Sequence, residues 1–307
     1  MSTGSGATPA TTTPAAVSAR RRRQRFAAGW RLFAANRAGL IGLIALLCVL
    51  ALALLAPLLV PFDSFDVTRL TAAANQPPSA AHPLGTDPVG RDVLGMLLWG
   101  SRISLVVGFS ATLMSMLIGT LMGMLAGHFT GVTQLVLLRI IDFFLVIPSL
   151  VLAIVLSTML NRGVLTIVIA IGLTSWAATA RIVRSQTLTI EARPYIERAQ
   201  ALGGGHRHLL TRHVLPAVIP LVLANTTLMV GSAIISESTL SFLGLGDPTQ
   251  ISWGSMLKSA LDTGAATAGY WWFVLPPGIA IVIIVLCFTL VGRALEAVVN
   301  PTLRERR

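Results

Sequence analysis

Charge is scarce in this sequence. Asp, Glu, Lys and Arg supply 11% of 307 residues, against about a quarter in soluble domains. With 54% of residues hydrophobic, a soluble fold would lack a polar shell, so the composition selects a membrane protein. Cysteine is nearly missing as well. Cys48 and Cys287 each lie inside a long apolar stretch, which argues against a disulfide framework and against a thiolate metal site. No Gly-x-Ser-x-Gly, His-Glu-x-x-His or Walker phosphate loop occurs, so no catalytic residue, cofactor or resident metal is expected. The net charge of +11 would suit nucleic acid, yet the basic residues flank apolar runs instead of forming a basic domain. Membrane lipid is the expected surface partner, and nucleic acid is not.

Residues 1–37 read as a disordered, basic tail: Ala, Thr, Ser, Gly and Pro without periodicity, then Arg20, Arg21, Arg22, Arg23, Arg25, Arg31 and Arg37. A secretory leader has the same order of parts but an apolar region of about 7–15 residues. Here Leu40 to Val60 gives 21 residues, roughly 31 Å as a helix, enough to cross a bilayer. Residues 38–61 are therefore the first anchor. Five further apolar stretches fall near 103–127, 136–160, 164–183, 214–236 and 273–292. The expected layout is an outer segment 62–102, a core of five spans over 103–293 enclosing a polar loop 184–213, and a tail 294–307. With both termini inside, 18 basic residues fall on the inner side and 5 (Arg69, Arg91, Arg102, Arg162, Lys258) outside. The positive-inside rule thus places both termini in the cytoplasm of an all-α, six-span protein.

Ala111, Ser115, Gly119, Gly123 and Gly127 recur every fourth residue along the second span. Such a small-residue strip lets helix backbones approach closely in lipid; whether its partner belongs to this chain or to another subunit stays open. In the loop, residues 190–202 suit a short helix interrupted near Pro194 and stopped by Gly203, Gly204 and Gly205. A second short helix, about 207–213, would lead into the fifth span. Two readings stand, an amphipathic surface loop or a docking knob.

Asp87 followed by Pro88 suits the cap of a short interfacial helix with Val93, Leu94, Leu97 and Leu98 on its apolar face. Leu243 to Gly246 and Ser252 to Gly254 read as loops, with Trp253 suited to the membrane interface and open to a binding-protein contact. Asp142 lies three residues after Arg139, so an intrahelical pair is expected. Glu237, at the outer end of the fifth span, faces either a pore or the headgroups. His206, His208 and His213 lack regular metal-ligand spacing.

The spacing Glu197-Arg198-Ala199, then Gly203, then Leu215-Pro216 resembles the coupling loop of binding-protein-dependent ABC importer permeases; Arg198 stands where that family usually has Ala. His82 to Asp87, Gly90 to Leu94, Gly100 to Leu105, Asp142 with Ile147-Pro148, Leu240 to Gly246 and Ser252-Trp253-Gly254 are similar to the dipeptide/oligopeptide/nickel subfamily, second-permease type. The likeness runs from about Asn36 to Pro301 and departs from the family at Gly292-Arg293 and Asn300-Pro301. It implies a type I importer permease in the inner membrane that moves dipeptides or oligopeptides. The implied partners are a second homologous permease, two cytoplasmic ATPase subunits or domains and an extracytoplasmic substrate-binding protein. Nickel or another small solute is the alternative cargo. A secondary transporter would show internal repeats and paired intramembrane carboxylates, and neither is evident.

Overall fold

The computed structural model describes residues 27–69 and 72–299; the tail with Arg20 to Arg25, and Asn300-Pro301 with the last basic residues, lie outside them. The described chain is helical apart from turns and an isolated bridge between Thr86 and Asp92. Residues 27–35, expected within a disordered tail, form helix α1, which precedes α2 (Arg37–Leu59); α2 begins where the Asn36 side chain accepts from the Gly39 N–H at 3.0 Å. α2 is apolar all round, as a span facing lipid must be. Its small residues Gly39, Gly42, Ala53 and Ala56 are the buried ones, while Leu54 and Leu58 stand exposed.

α3 (Val93–His128) is the longest helix and packs against most of the others. It opens at Asp92, whose side chain accepts from Gly95 N–H at 2.7 Å and meets His82 Nδ1 at 3.0 Å. Asp87 caps no helix, contrary to the expectation from sequence. It is buried in the preceding turn, accepting from the N–H groups of Val89 and Arg91 and ion-paired with the Arg91 guanidinium at 2.7 Å. The equally local pairing with Arg91, four residues on, outweighs the cap signal, and the four apolar residues from Val93 become the first turns of the span itself.

The third apolar stretch is not one straight helix. α4 (Gly131–Val146) and α5 (Ser149–Met159) meet at 89° across Ile147-Pro148. Proline withholds an N–H and forces the preceding residue out of helical geometry. α6 (Val164–Thr174) and α7 (Trp176–Glu191) form one span with a break at Ser175. It runs past the expected end at 183, because α7 turns a polar face outward and continues beyond its apolar part. α8 (Pro194–Ala201) and α9 (His206–Leu209) follow, with Pro194 starting α8 instead of interrupting it.

The expected helix over 207–213 is instead α9 plus a π turn (Leu210–Val214) that runs into α10 (Leu215–Phe242). The π turn sits where Pro216 offers no N–H to the carbonyl of Arg212. α11 (Trp253–Asp262) starts at Ser252, which shares reciprocal caps with Ser255, so the Ser252 to Gly254 segment begins a helix and is not a loop. α12 (Trp271–Val299) closes the bundle against α2 and α10. Five helical segments can span a membrane, or six with the bent pair counted as one.

Candidate functional site

α8 is a two-turn helix hung between two spans. Pro194 at its first turn needs no N–H partner, and Glu197 lies near the positive end of the helix dipole. The chain leaves α8 through Gly203, whose φ of +86° lies in the left-handed region, with Gly204 N–H donating to Ala199 O at 2.9 Å. A side chain at Gly204 would meet Ala199 O at 2.6 Å, whereas Gly203 faces open space. The first glycine is needed for conformation and the second for room.

Ile196 and Leu209, both buried, root this loop in a cluster with Met124, Val183, Ile190, Val214 and Val218. Ala199 packs on the edge of the same cluster, and Leu215-Pro216 begins α10 directly beneath. Glu197 and Arg198 are exposed, and Leu202 at the tip is 90% exposed, an apolar side chain held out from the body.

A polar chain ties the loop to the longest helix. His128, at the end of α3, is hydrogen-bonded through Nδ1 to Glu191 Oε1 at the end of α7. Its Nε2 lies 2.8 Å from His206 Nδ1 at the start of α9. A carboxylate only accepts, so His128 Nδ1 donates to it; with His128 neutral, its Nε2 accepts from the His206 Nδ1–H. His208 and His213 meet each other edge to face instead, so the three loop histidines do not converge. The sequence gives no sign of this link, because its members are far apart in the chain and obey no helical spacing.

Glu237 is fully buried on α10. Ser104 Oγ on α3 donates to its Oε2 and Ser241 Oγ to its Oε1, both at 2.8 Å, with Ser238 Oγ at 3.3 Å. Trp253 is also buried; its backbone N–H lies 3.4 Å from Ser104 Oγ and its indole N–H donates to Leu97 O at 3.1 Å. Glu237, expected at a pore or the headgroups, and Trp253, expected at the membrane interface or a binding-protein contact, thus fasten α3, α10 and α11 together within this chain.

Residues 119–305 match the family described as binding-protein-dependent transport system inner membrane component. The chain belongs to that family. Residues 25–78 of this importer permease also match the N-terminal TM domain of oligopeptide transport permease C. It is 35% identical to the glutathione transport system permease protein GsiD of Pectobacterium atrosepticum, over 90% of each chain. It is 36% identical to the oligopeptide transport system permease protein OppC of Bacillus subtilis, over 89% of this chain and 88% of that one. Against the dipeptide transport system permease protein DppC of the same organism the identity is 35%, over 90% and 85%.

In this permease the small-residue strip lies against α7 of the same chain. A Cβ on Gly119 would stand 2.6 Å from Trp176 O, and one on Gly123 2.4 Å from Ala180 O. Ala111 and Ser115, higher on the strip, are equally buried. Asp142 pairs with Arg181 of α7 at 3.0 Å and not with Arg139. A second tight seam has no matching four-residue repeat in the sequence: Gly39 and Gly42 of α2 sit against Ala294 and Leu290 of α12.

Proposed function

We propose that this chain is a permease subunit of an ATP-driven importer of dipeptides and oligopeptides. It works beside a second homologous permease, two cytoplasmic ATPase subunits and an extracytoplasmic binding protein. Both of its termini lie in the cytoplasm, and α8 is the coupling element seated on the ATPase. Cargo class is supported by full-length relatives named for oligopeptide and dipeptide transport.

The observation that carries the coupling role is the exposed tip of the α8 loop on a buried root. Leu202 and the charged pair Glu197 and Arg198 face outward, while Ile196 and Leu209 clamp the loop to the ends of α3, α7 and α10. A partner that grips the tip therefore moves three spans at once. Gly203→Val tests the role. It forces a β-branched residue into a left-handed position at a cost of about 1–2 kcal/mol and re-aims the end of α8 without touching a span. Vesicles carrying all subunits should then hydrolyse ATP without moving peptide, or bind their ATPases poorly. Normal uptake by the variant combined with Glu197→Ala would rule the loop out as the coupling element.

A further inference from the structure

A cavity of about 370 Å³ lies midway along the spans, between α3, the α4–α5 bend, the α6–α7 break and α10. That volume falls within the range of small-ligand pockets. Its wall includes Thr112, Ser115, Ser149, Ser175 and Ser232 among Ala, Ile, Met and Phe side chains, and no lining residue carries a charge. Thr112 and Ser115 are both more than nine-tenths buried, and both hydroxyl oxygens lack a hydrogen-bond partner.

Most hydroxyls in these spans behave differently. Thr174, Thr187, Thr226 and Ser236 return theirs to the carbonyl four residues back. Among the described residues four buried hydroxyls stay unpartnered, and two of them, Thr112 and Ser115, line this one cavity. Orphaned polar groups are costly in a membrane interior, where no bulk water replaces the missing bond. The N-terminus of α5 also lines the cavity at Pro148 and Ser149 and carries no side-chain cap. Its first-turn N–H groups lack intrahelical acceptors.

We infer that this cavity is a transit site for uncharged main-chain amides of a peptide, with Thr112 and Ser115 as its hydrogen-bonding residues. Hydroxyls both donate and accept, so they match carbonyl and N–H groups alike, and the charge-free wall offers no counter-ion by which to favour one charged side chain over another. Recognition at this point reads backbone and leaves sequence preference to other subunits.

The inference rests on the importer reading above and fails separately from it. Assembled complex in vesicles is supplied with binding protein and radiolabelled trialanine, and uptake and ATP hydrolysis are followed together. Thr112→Val with Ser115→Ala removes both hydroxyls at nearly constant shape. It should assemble and hydrolyse ATP as the parent does, with trialanine uptake down roughly tenfold. Thr112→Ser, which keeps the hydroxyl, should retain uptake. Parent-level uptake by the double variant overturns the transit site and leaves the importer reading standing, as does loss of uptake together with loss of assembly. No trialanine uptake by the parent complex overturns the peptide reading and the site with it.

Discussion

A carboxylate with no exposed surface needs its oxygens filled, and Glu237 has three serine hydroxyls within 3.3 Å. Those serines come from α3 and α10, and Ser104 in turn faces the first N–H of α11. Glu237→Ala would leave the hydroxyls facing an empty, water-poor space and cost about 2 kcal/mol or more. Glu237→Gln keeps one acceptor oxygen and adds donors that rotating hydroxyls accept, so its cost is smaller. Thermal unfolding of the detergent-purified complex should rank parent, Gln variant and Ala variant in that order. An Ala variant as stable as the parent would remove Glu237 from its role as the fastening point. Asp87 teaches the same lesson in the segment between α2 and α3. Its Asp-Pro sequence matches a helix cap, yet Arg91 four residues on claims the carboxylate and the cap passes to Asp92.

Between helices, packing follows the spacing of small residues. Gly123 and Gly127 let α3 touch the backbone and Thr187 of α7, whereas Leu121 on the same helix is exposed. Gly123→Leu should therefore reduce recovery of folded permease sharply and Leu121→Ala hardly at all; size-exclusion profiles of both variants decide. Equal recovery would put the strip against lipid. The strip was legible because a four-residue period is local information. The bend was half legible: Ile147-Pro148 is present in the sequence, but an apolar run of span length hides a corner, and only neighbouring helices decide whether proline kinks or breaks it. Pairings such as Asp142 with Arg181, or His128 with His206, join positions far apart in the chain, where no periodic rule reaches. The α8 loop was located by its glycines, but the continuation of α9 through a π turn into α10 depended on how Pro216 is accommodated.

In the proposed six-span layout the basic residues divide unevenly, 18 on one side of the spans and 5 on the other. Inward loops rich in Arg and Lys resist translocation, so that division orients the proposed bundle with the α8 loop and both termini in the cytoplasm. Two positions test it cleanly. Ser79 is exposed in the segment between α2 and α3, and Gly205 is exposed beside α8 with open space where a side chain would go. Neither native thiol interferes: Cys287 is buried, and Cys48 faces outward from the middle of the apolar helix α2, beyond reach of a charged reagent. In intact cells a membrane-impermeant maleimide should label Ser79→Cys and leave Gly205→Cys untouched, with labelling of Gly205→Cys appearing once the membrane is opened. The bent α4–α5 pair makes this a sharp experiment. If that pair crosses as one span, the two sites lie on opposite sides. If it enters and leaves by the same face, the number of crossings between Ser79 and Gly205 changes by one and the two thiols label together. Joint labelling from outside would therefore reject the six-span layout and, with it, the seating of α8 on a cytoplasmic ATPase.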